Sequence, residues 1–243
     1  MDSAIETHCL VKTFDRTEGD LTVFRELRRL LRGTPPTDVL YALNDINLQV
    51  CRGEWIGVVG NNGSGKTTLT KLIARLYLPT SGTVRVAGDV SLLCGLGVGM
   101  VDDLSVRENV YLYGALQGID PPQLRAQFDE IIHWADLDDF VSATFRTLSS
   151  GMRSRLAFSV ARYNESRIVV QDEALTAGDK DFALKCKMYF QGLRQDTRTF
   201  VFSTHDLAFV SEFCDKTLWL SKGQQMAFDE TARVLKEYRS AHG

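Results

Sequence analysis

The sequence predicts an α/β fold with a mainly parallel sheet, an antiparallel β edge and an inserted helical subdomain. Strand-like apolar runs alternate with helical patterns, which is typical of a parallel sheet with crossover helices. The runs EWIGVVG, RIVVQDEA and TFVFSTHD have continuously apolar stretches, as in strands that are buried on both faces. A helical stretch from about residue 103 to residue 147 interrupts the alternation and predicts the inserted subdomain.

Composition narrows the class of protein. The 243 residues suffice for one large domain or for one domain with an inserted subdomain. The net charge of −3, from 28 basic and 31 acidic side chains, argues against nucleic acid as the main partner. The five cysteines are widely spaced without a CxxC motif, so we expect a reducing cytoplasm rather than disulfides or a zinc site.

The hydropathy pattern predicts no direct insertion into a membrane. The N-terminus lacks the apolar segment of a signal peptide, and no apolar run reaches the roughly 18 residues of a spanning helix. We therefore expect any membrane role to be peripheral or to act through a partner.

The first predicted elements are an edge strand, AIETHCLVKTF, and a basic helix, LTVFRELRRLLRG, within an insert over residues 15–40. The apolar residues at helical spacing are Leu21, Phe24, Leu27 and Leu31. Arginines occupy much of the remaining surface, and a solvated surface helix is the favoured interpretation. A helix that faces anionic lipid or a partner is the alternative.

The remaining elements follow in chain order. ALNDINLQV alternates as a half-buried strand, EWIGVVG is a buried strand, and TTLTKLIARLYLP is a helix. A helical pattern runs from residue 121 to about residue 140. Its apolar face comprises Leu124, Phe128, Ile131 and Ala135. DKTLWLSKGQQMAFDE predicts a hairpin, and ETARVLKEYRSAHG predicts a terminal helix.

The segment GNNGSGKT at residues 60–67 fits the phosphate-loop pattern G-x-x-x-x-G-K-[ST]. It follows a predicted buried strand and opens a helix, which is the context that this motif requires. The glycines at 60, 63 and 65 let backbone N–H groups curl around a phosphate, and the helix N-terminus adds a positive dipole. Lys66 is expected to reach the outer phosphates and Thr67 to place its hydroxyl on Mg²⁺. A glycine turn that only caps the helix is the alternative.

Two adjacent acids, Asp172 and Glu173, end the predicted strand RIVVQDEA. Carboxylates at the end of a parallel strand lie at the ligand-binding edge of an open α/β sheet. Asp172 is suited to hold Mg²⁺, directly or through water. Glu173 is expected on the other side of the chain, where it can polarise an attacking water. An acid that stabilises a helix N-terminus is the alternative, and the upstream phosphate loop favours the functional role.

Two further stretches, TLSSGM before a predicted helix and FSTHD at the end of a predicted strand, are candidates for contacts to phosphate. TLSSGMRSRLAFSVA places Ser149 and Gly151 at the start of an amphipathic helix, either as an ordinary N-cap, which the residues alone favour, or as a second anion site. His205 in FSTHD follows a buried strand at the same sheet edge as Asp172. A lone histidine is usually structural, but at this edge it can donate to a γ-phosphate.

With these four stretches in this order, the chain resembles the nucleotide-binding subunit of an ABC transporter, from Leu10 to about Tyr238. The resemblance implies a P-loop NTPase (RecA-like) core that takes ATP and Mg²⁺. Lys66 and Thr67 match the Walker A motif, and Asp172 matches the Walker B aspartate.

The remaining motifs complete the resemblance. Glu173 matches the catalytic glutamate and His205 the switch histidine; LSSGM occupies the signature position, and TAGD the D-loop, with Asp179 as its acid. The residues that the resemblance assigns to the nucleotide are Gly60, Asn61, Asn62, Gly63, Ser64, Gly65, Lys66, Thr67 and Thr68. Those that would contact ATP held by the other subunit of a head-to-tail homodimer are Ser149, Ser150, Gly151 and Asp179. The resemblance therefore reverses the cap-only interpretation of Ser149.

The resemblance extends to exporters of bacterial polysaccharides such as capsule, O-antigen or teichoic acid. SSGMRSRLAF, DEALTAGD, and GLGVGM followed by RENVYL carry this likeness. It implies a separate polytopic permease, a polysaccharide or lipid-linked glycan as the transported substrate, and a peripheral location at the cytoplasmic face of the inner membrane. Because the sequence ends soon after the core, we expect a short form without a carbohydrate-binding C-terminal domain.

The resemblance also divides the chain. A single domain spans residues 1–243, with an ATP-binding core at 1–94 and 155–243 and a helical signature subdomain at 95–154. Two positions depart from the family pattern. No glutamine follows the strand near Cys94, and Gln171 replaces the usual aliphatic residue before Asp172. Phe14 and Tyr41 both qualify as the aromatic that stacks on adenine, and Phe14 is favoured by its VKTF context.

The glycine-rich stretch CGLGVGM at residues 94–100 is interpreted as the joint between the core and the helical subdomain. It has no lysine for a second phosphate loop and is too short to span a membrane. SVRE predicts a capping box in which Ser105 is the N-cap and Glu108 is N3. The resemblance to polysaccharide exporters implies that residues 95–102 contact the permease. Two rivals stay open: an ABC-type ATPase without a membrane partner or for another substrate, and a non-hydrolysing module, against which Lys66, Glu173 and His205 argue.

Overall fold

The computed structural model describes residues 2–15, 39–94, 98–172 and 180–242. The predicted basic helix of the insert, the first two glycines of CGLGVGM, Glu173 and Asp179 lie outside these residues. The strands are β1 (Ser3–Asp15), β2 (Val39–Cys51), β3 (Trp55–Val59), β4 (Ser81–Val86), β5 (Val90–Cys94), β6 (Ile168–Asp172), β7 (Thr199–Ser203), β8 (Lys216–Ser221) and β9 (Gln224–Glu230).

The helices alternate with these strands and cluster between β5 and β6. They are α1 (Lys66–Ile73), α2 (Val106–Leu116), α3 (Pro121–Trp134), α4 (Ser150–Ala161), α5 (Lys180–Leu193), α6 (Leu207–Phe213) and α7 (Thr231–His242). Two 3₁₀ turns, Asp138–Phe140 and Phe145–Thr147, lie between α3 and α4. Within the described ranges, no helix is both long and apolar enough to cross a membrane.

The strands form one sheet in the order β4-β1-β2-β9-β8-β3-β7-β6-β5. Strands β8, β3, β7, β6 and β5 are mutually parallel, whereas β4, β1 and β2 form an antiparallel edge. The predicted fold class is confirmed, as is the β8–β9 hairpin. The prediction that the N-terminal strand is an edge strand is wrong, because β1 pairs with β2 on one side and with β4 on the other. Strand β4 is largely exposed, and only Val84 and Val86, on either side of Arg85, pack against the core, so its apolar alternation is too short to predict it.

Apolar layers cover both faces of the parallel strands, which explains their continuously apolar sequences. On one face, Leu69 and Leu72 of α1 share an apolar cluster with Ile56 and Val58 of β3. The other face carries an aromatic cluster around Trp55, continuous with the helical side of the core. The rings within about 6.4 Å of Trp55 are Phe190, Phe200, Phe202 and Phe213. Burial on both sides fixes the register of the strands that end at the candidate site.

Helix α1 ends at Ile73, although the sequence pattern predicts a helix that continues to residue 79. Arg75 takes a left-handed conformation with φ 61°. The N–H of Leu76 donates to the carbonyl of Lys71 at 2.9 Å, and the N–H of Arg75 donates to that of Leu72 at 3.1 Å. This is a Schellman C-terminus, in which an arginine occupies the position that glycine usually takes.

Helix α2 begins as predicted. The N–H of Glu108 donates to Ser105 Oγ at 3.2 Å, and the N–H of Ser105 donates to Glu108 Oε2 at 2.8 Å, so the capping box is confirmed. The predicted apolar face of α3 is buried as well, and comprises Leu124, Phe128, Ile131 and Ala135. Helices α2, α3 and α4 pack against one another on the β5 side of the sheet.

Candidate nucleotide-binding site

The candidate phosphate loop connects the fully buried strand β3 to the N-terminus of α1. The N-cap of α1 is Gly65, at φ 107°, and no side chain caps the helix. The first N–H groups of a helix have no intrahelical acceptor. They are therefore available to an anion at the place where the loop curls.

Two glycines of the loop are required by close contacts. A Cβ on Gly60 would lie 2.2 Å from the carbonyl oxygen of Leu220, and one on Gly65 would lie 2.5 Å from that of Ala42. These are backbone atoms of β8 and β2, so they cannot move aside without disturbing the sheet. The loop is therefore held tightly between two strands while its amides remain on the open side.

Lys66 places its ammonium inside this loop. Its side chain is 5% exposed, and Nζ donates to the carbonyl of Gly60 at 2.7 Å and to that of Asn61 at 3.3 Å. A buried ammonium next to the orphan amides of a helix N-terminus creates a concentrated positive field. This field suits a polyanion such as a nucleotide phosphate chain.

Thr67, in the first turn of α1, meets Asp172, the last residue of β6, at the carboxyl edge of the sheet. Thr67 Oγ1 donates to Asp172 Oδ1 at 3.3 Å, and Asp172 is 8% exposed. They come from different strand ends, since β7 separates β3 from β6 in the sheet. A hydroxyl and a carboxylate oxygen are hard ligands of the kind that Mg²⁺ takes beside phosphate. The donor set therefore fits a magnesium ion.

Two buried hydroxyls nearby have no hydrogen-bond partner within the described part of the chain. They belong to Ser64 in the loop and to Ser203, whose Cα pairs with that of Asp172 in the β6–β7 register. Buried polar groups are almost always hydrogen-bonded in folded proteins. Their orphaned state points to water or ligand atoms that complete the site.

A cavity of about 380 Å³ adjoins the loop. Its lining consists of Phe14, Leu40, Tyr41, Ala42 and residues 62–68. Phe14 packs edge-on against Tyr77 at 5.7 Å, with Lys12 Nζ 5.1 Å from its ring centroid, whereas Tyr41 is 55% exposed. Both predicted aromatic residues therefore line the same cavity, with a phosphate-type loop beside them.

His205 is exposed directly beyond β7. The next residue, Asp206, caps α6, because its Oδ1 accepts hydrogen bonds from the N–H groups of Ala208 at 2.9 Å and Phe209 at 3.0 Å. The end of a buried strand and a capped helix thus fix the backbone on both sides of His205. It lies at the carboxyl edge of the sheet, beside the strand that ends in Asp172.

The signature segment lies at the N-terminus of α4, and residues 149–151 do not line the 380 Å³ cavity. Ser149 is the N-cap, and its Oγ accepts a hydrogen bond from the N–H of Met152 at 3.2 Å. A Cβ added to Gly151 would meet no heavy atom within 4 Å among the described residues. The first turn of α4 therefore faces open space.

Sequence reasoning missed one contributor to the phosphate loop. The N–H of Gly223, in the β8–β9 turn, donates to the carbonyl of Ser64 at 3.0 Å, and the N–H of Asn44 donates to the carbonyl of Gly223 at 2.8 Å. The turn signal KG is visible in the sequence, but the partner of the turn is set by the order of strands in the sheet.

Gln171, which departs from the family pattern, is buried, and within the described residues its Oε1 has no hydrogen-bond partner.

Comparisons with known proteins agree with this geometry. The sequence profile described as ABC transporter matches residues 43–176. The chain is 38% identical over 238 residues to the O-antigen export system ATP-binding protein RfbB of Myxococcus xanthus, covering 96% of this chain and 54% of that protein. It is 34% identical over 236 residues to the teichoic acids export ATP-binding protein TagH of Enterococcus faecalis, covering 97% and 52%. The chain thus spans about half the length of these relatives.

Two solved structures share the fold. A dimeric ATP-binding cassette in a post-hydrolysis state with ADP and Pi superposes with a TM-score of 0.73 at 22% identity, over 93% of this chain and 98% of that one. The cbiO1 protein of Clostridium perfringens, part of the ABC transporter complex cbiONQ, gives 0.68 at 18% identity, over 98% and 92%.

The loop between β3 and α1, together with Asp172 at the end of β6 on the same edge of the sheet, defines a P-loop nucleotide-binding domain of the α/β class. Together with the profile match over residues 43–176, this shows that the chain belongs to the ABC transporter family and carries its ATP-binding domain.

Proposed function

We propose that this chain is the ATP-hydrolysing subunit of an exporter that moves a cell-surface polysaccharide across the cytoplasmic membrane. The contact between Thr67 and Asp172 beside the Lys66 loop carries the nucleotide part of the proposal, because it joins a metal-type donor pair to a phosphate-type cradle. The polysaccharide part is supported by the two relatives, which are named for export of O-antigen and teichoic acids.

In this proposal, separate groups of residues bind the phosphates, the base and the magnesium ion of the nucleotide. Residues 60–68 surround the phosphates, with Lys66 paired to the outer ones, and Phe14 or Tyr41 stacks on the base. Phe14 is the better platform because Tyr77 and Lys12 already hold its ring. A magnesium ion between Thr67 and Asp172 would neutralise charge on the transferred phosphoryl group.

Hydrolysis is assigned to residues at two adjacent strand ends. Glu173, the next residue after Asp172, takes a proton from the attacking water as general base. His205, beyond β7, donates a hydrogen bond to the γ-phosphate. Lys66 stabilises the charge on the phosphate oxygens as the bond to the leaving group breaks.

A second copy completes the site. In a head-to-tail dimer, Ser149, Ser150, Gly151 and Asp179 contact the ATP that is bound by the partner. The open space before Gly151 supports this arrangement. The cap and anion interpretations of Ser149 are compatible, because the cap uses an oxygen lone pair and leaves the hydroxyl proton to donate to a phosphate.

Transport requires a separate polytopic permease, which would hold this subunit at the cytoplasmic face of the membrane. In this proposal the core comprises residues 1–94 and 155–243, the helical signature subdomain comprises residues 95–154, and the permease contacts residues 95–102. Val98 and Val101, which are exposed, lie within that stretch.

The ATPase part is tested with Glu173→Gln. Loss of the general base should lower turnover at least about a hundredfold while ATP binding persists, so that a stable ATP-bound dimer accumulates. Steady-state phosphate release and size-exclusion chromatography with ATP measure the two effects. A Glu212→Gln variant, altered at an exposed glutamate on α6, is the control and should retain full activity. Near-normal turnover in Glu173→Gln would exclude the assignment.

The export part is tested by crosslinking in membranes that contain the cognate permease. In a chain without native cysteines, Val98→Cys and Val101→Cys should crosslink to the permease, whereas Leu184→Cys, equally exposed on α5, should not. Immunoblotting identifies the adduct. Crosslinks that join only copies of this chain would count against the permease contact and favour an ATPase without a membrane partner.

A further inference from the structure

The segment that follows the glycine-rich joint runs beside the segment that precedes the signature. The N–H of Phe145 donates to the carbonyl of Leu104 at 2.8 Å, and the N–H of Arg146 donates to that of Asp102 at 3.0 Å. An antiparallel bridge between Ser105 and Thr144 continues this short ladder. Backbone hydrogen bonds therefore join two stretches that lie far apart in the sequence.

One guanidinium fastens the two stretches to each other. Arg153 Nη1 pairs with Asp102 Oδ1 at 2.9 Å, Nε donates to the carbonyl of Leu148 at 3.2 Å, and Nη2 donates to that of Arg146 at 3.1 Å. The guanidinium also lies 4.7 Å from the ring centroid of Phe145, and the side chain is 31% exposed. A planar fork with several fixed donors suits this task, and a lysine ammonium does not.

Residues 101–104, which follow the glycine-rich joint, are also bound to helix α2. Asn109 is fully buried; its Oδ1 accepts from the N–H of Val101 at 2.7 Å, and its Nδ2 donates to the carbonyl of Val101 at 3.0 Å. Arg146 also pairs with Asp103, but both side chains are largely exposed, and such pairs contribute little. Residues 101–104 are thus fastened to α2 on one side and to the signature turn on the other.

We propose that Arg153 is a positioning residue that fixes the signature turn to residues 101–104, so that a displacement of this segment carries residues 149–151 with it. The carbonyl of Leu148 that Arg153 holds lies on the peptide bond that leads to Ser149. The proposal rests on the proposed function for what the turn contacts, namely the γ-phosphate of the partner's ATP. Movement at the joint would then reach the partner's nucleotide site through Arg153, which acts together with the short backbone ladder.

Hydrogen exchange on the isolated chain tests the connection. Asp102→Asn removes the ion pair without touching the signature, yet it should raise exchange roughly fivefold at the amides of Leu148, Met152 and Arg153. Arg153→Gln should raise it at least as much, and Arg153→Lys should be intermediate. The matched control is Arg155→Gln, because Arg155 lies on the same helix and pairs with Asp136 instead. Unchanged exchange in Asp102→Asn would overturn the proposal.

Dimer formation tests the consequence. In the Glu173→Gln background, Asp102→Asn and Arg153→Gln should each weaken ATP-driven association about tenfold, and the double variant should be no weaker than Arg153→Gln alone. Affinity of the monomer for ATP should stay within about twofold, because the 380 Å³ cavity includes neither residue. Additive effects would overturn the proposal. If the Glu173→Gln parent fails to associate, that failure counts against the proposed function, and the exchange experiment alone decides the role of Arg153.

Discussion

At the scale of single residues, the described part of the chain does not explain why residue 151 is a glycine. Its surroundings leave room for a side chain, and it lies in the first turn of α4. Glycine within a helix costs up to about 1 kcal/mol relative to alanine. A partner's nucleotide that approaches this turn gives a reason for keeping the space empty.

Substitution at Gly151 should therefore separate stability from association. Gly151→Ala should raise the free energy of unfolding of the isolated chain by about 0.3–1 kcal/mol, because alanine favours the helix. The same change should weaken the ATP-driven dimer of the Glu173→Gln chain, because the methyl group fills the approach. Urea unfolding and sedimentation measure the two quantities, and Gly118→Ala, at a glycine with φ 74°, is the control that should destabilise.

A mixing experiment checks that the contact is made between subunits. Gly151→Asp should fold, since an acid in the first turn of a helix is favourable. A Lys66→Ala chain mixed with a Gly151→Asp chain should form dimers with one intact ATP site, although neither chain forms one alone. Absence of such a site in the mixture would contradict the head-to-tail arrangement.

At the scale of elements, the start of α2 depends on Asn109. Its amide satisfies both backbone groups of Val101 and donates to the carbonyl of Ser105 at 3.0 Å. Asn109→Ala should lower the free energy of unfolding by about 1–3 kcal/mol, because it removes a fully buried amide and leaves the part-buried backbone groups of Val101 without this partner. Chemical denaturation measures the loss. The control is Asp129→Ala, at an exposed position of α3, which should change stability by less than about 0.5 kcal/mol. If Asp129→Ala destabilised the chain as much as Asn109→Ala, the special role of Asn109 would be contradicted.

The same scale shows what the sequence could and could not predict. Strands β3, β6 and β7 are predictable because burial on both faces gives each of them a run of consecutive apolar residues, to which β6 and β7 add polar residues only at their ends. The approach of Thr67 to Asp172 is predictable because parallel strands bring their carboxyl ends to one edge. The end of α1 is not predictable, because Arg75 adopts the left-handed conformation that a glycine would otherwise signal. Its guanidinium donates to the carbonyl of Val86 at 2.6 Å, a tertiary contact that no local pattern contains.

At the scale of the whole molecule, Asp215 connects three elements at the end of the sheet opposite the candidate site. Its carboxylate accepts from the N–H of Trp55 at 2.8 Å and pairs with Arg194 at 2.6 Å and 3.2 Å. Burial raises the pKa of this carboxyl, but the hydrogen bonds from Arg194 and from the N–H of Trp55 outweigh burial, so the pKa lies below its usual range.

This lowered pKa predicts a loss of stability in acid. The folded chain binds the proton more weakly than the unfolded chain, so the stabilisation is complete above the unfolded pKa of about 3.9 and disappears as the pH falls through the folded pKa. Asp215→Asn should cost only about 1–2 kcal/mol near pH 7, because both side chains are more than a third exposed, and it should cost less at about pH 3, which lies below the unfolded pKa. Unfolding curves at both pH values measure the difference. An equal cost at both pH values for Asp215→Asn would contradict the ionic role.

The hydrogen bond between Gly223 and Ser64 also sets an order of events during synthesis. The phosphate loop leaves the ribosome well before the hairpin turn that holds it, because Gly223 follows Ser64 by 159 residues. Pairings between distant segments form late, because their loop-closure entropy must be overcome first. A nascent chain that lacks the hairpin therefore displays the whole motif without the geometry to retain a nucleotide, and ATP can stabilise only molecules whose synthesis has passed this hairpin.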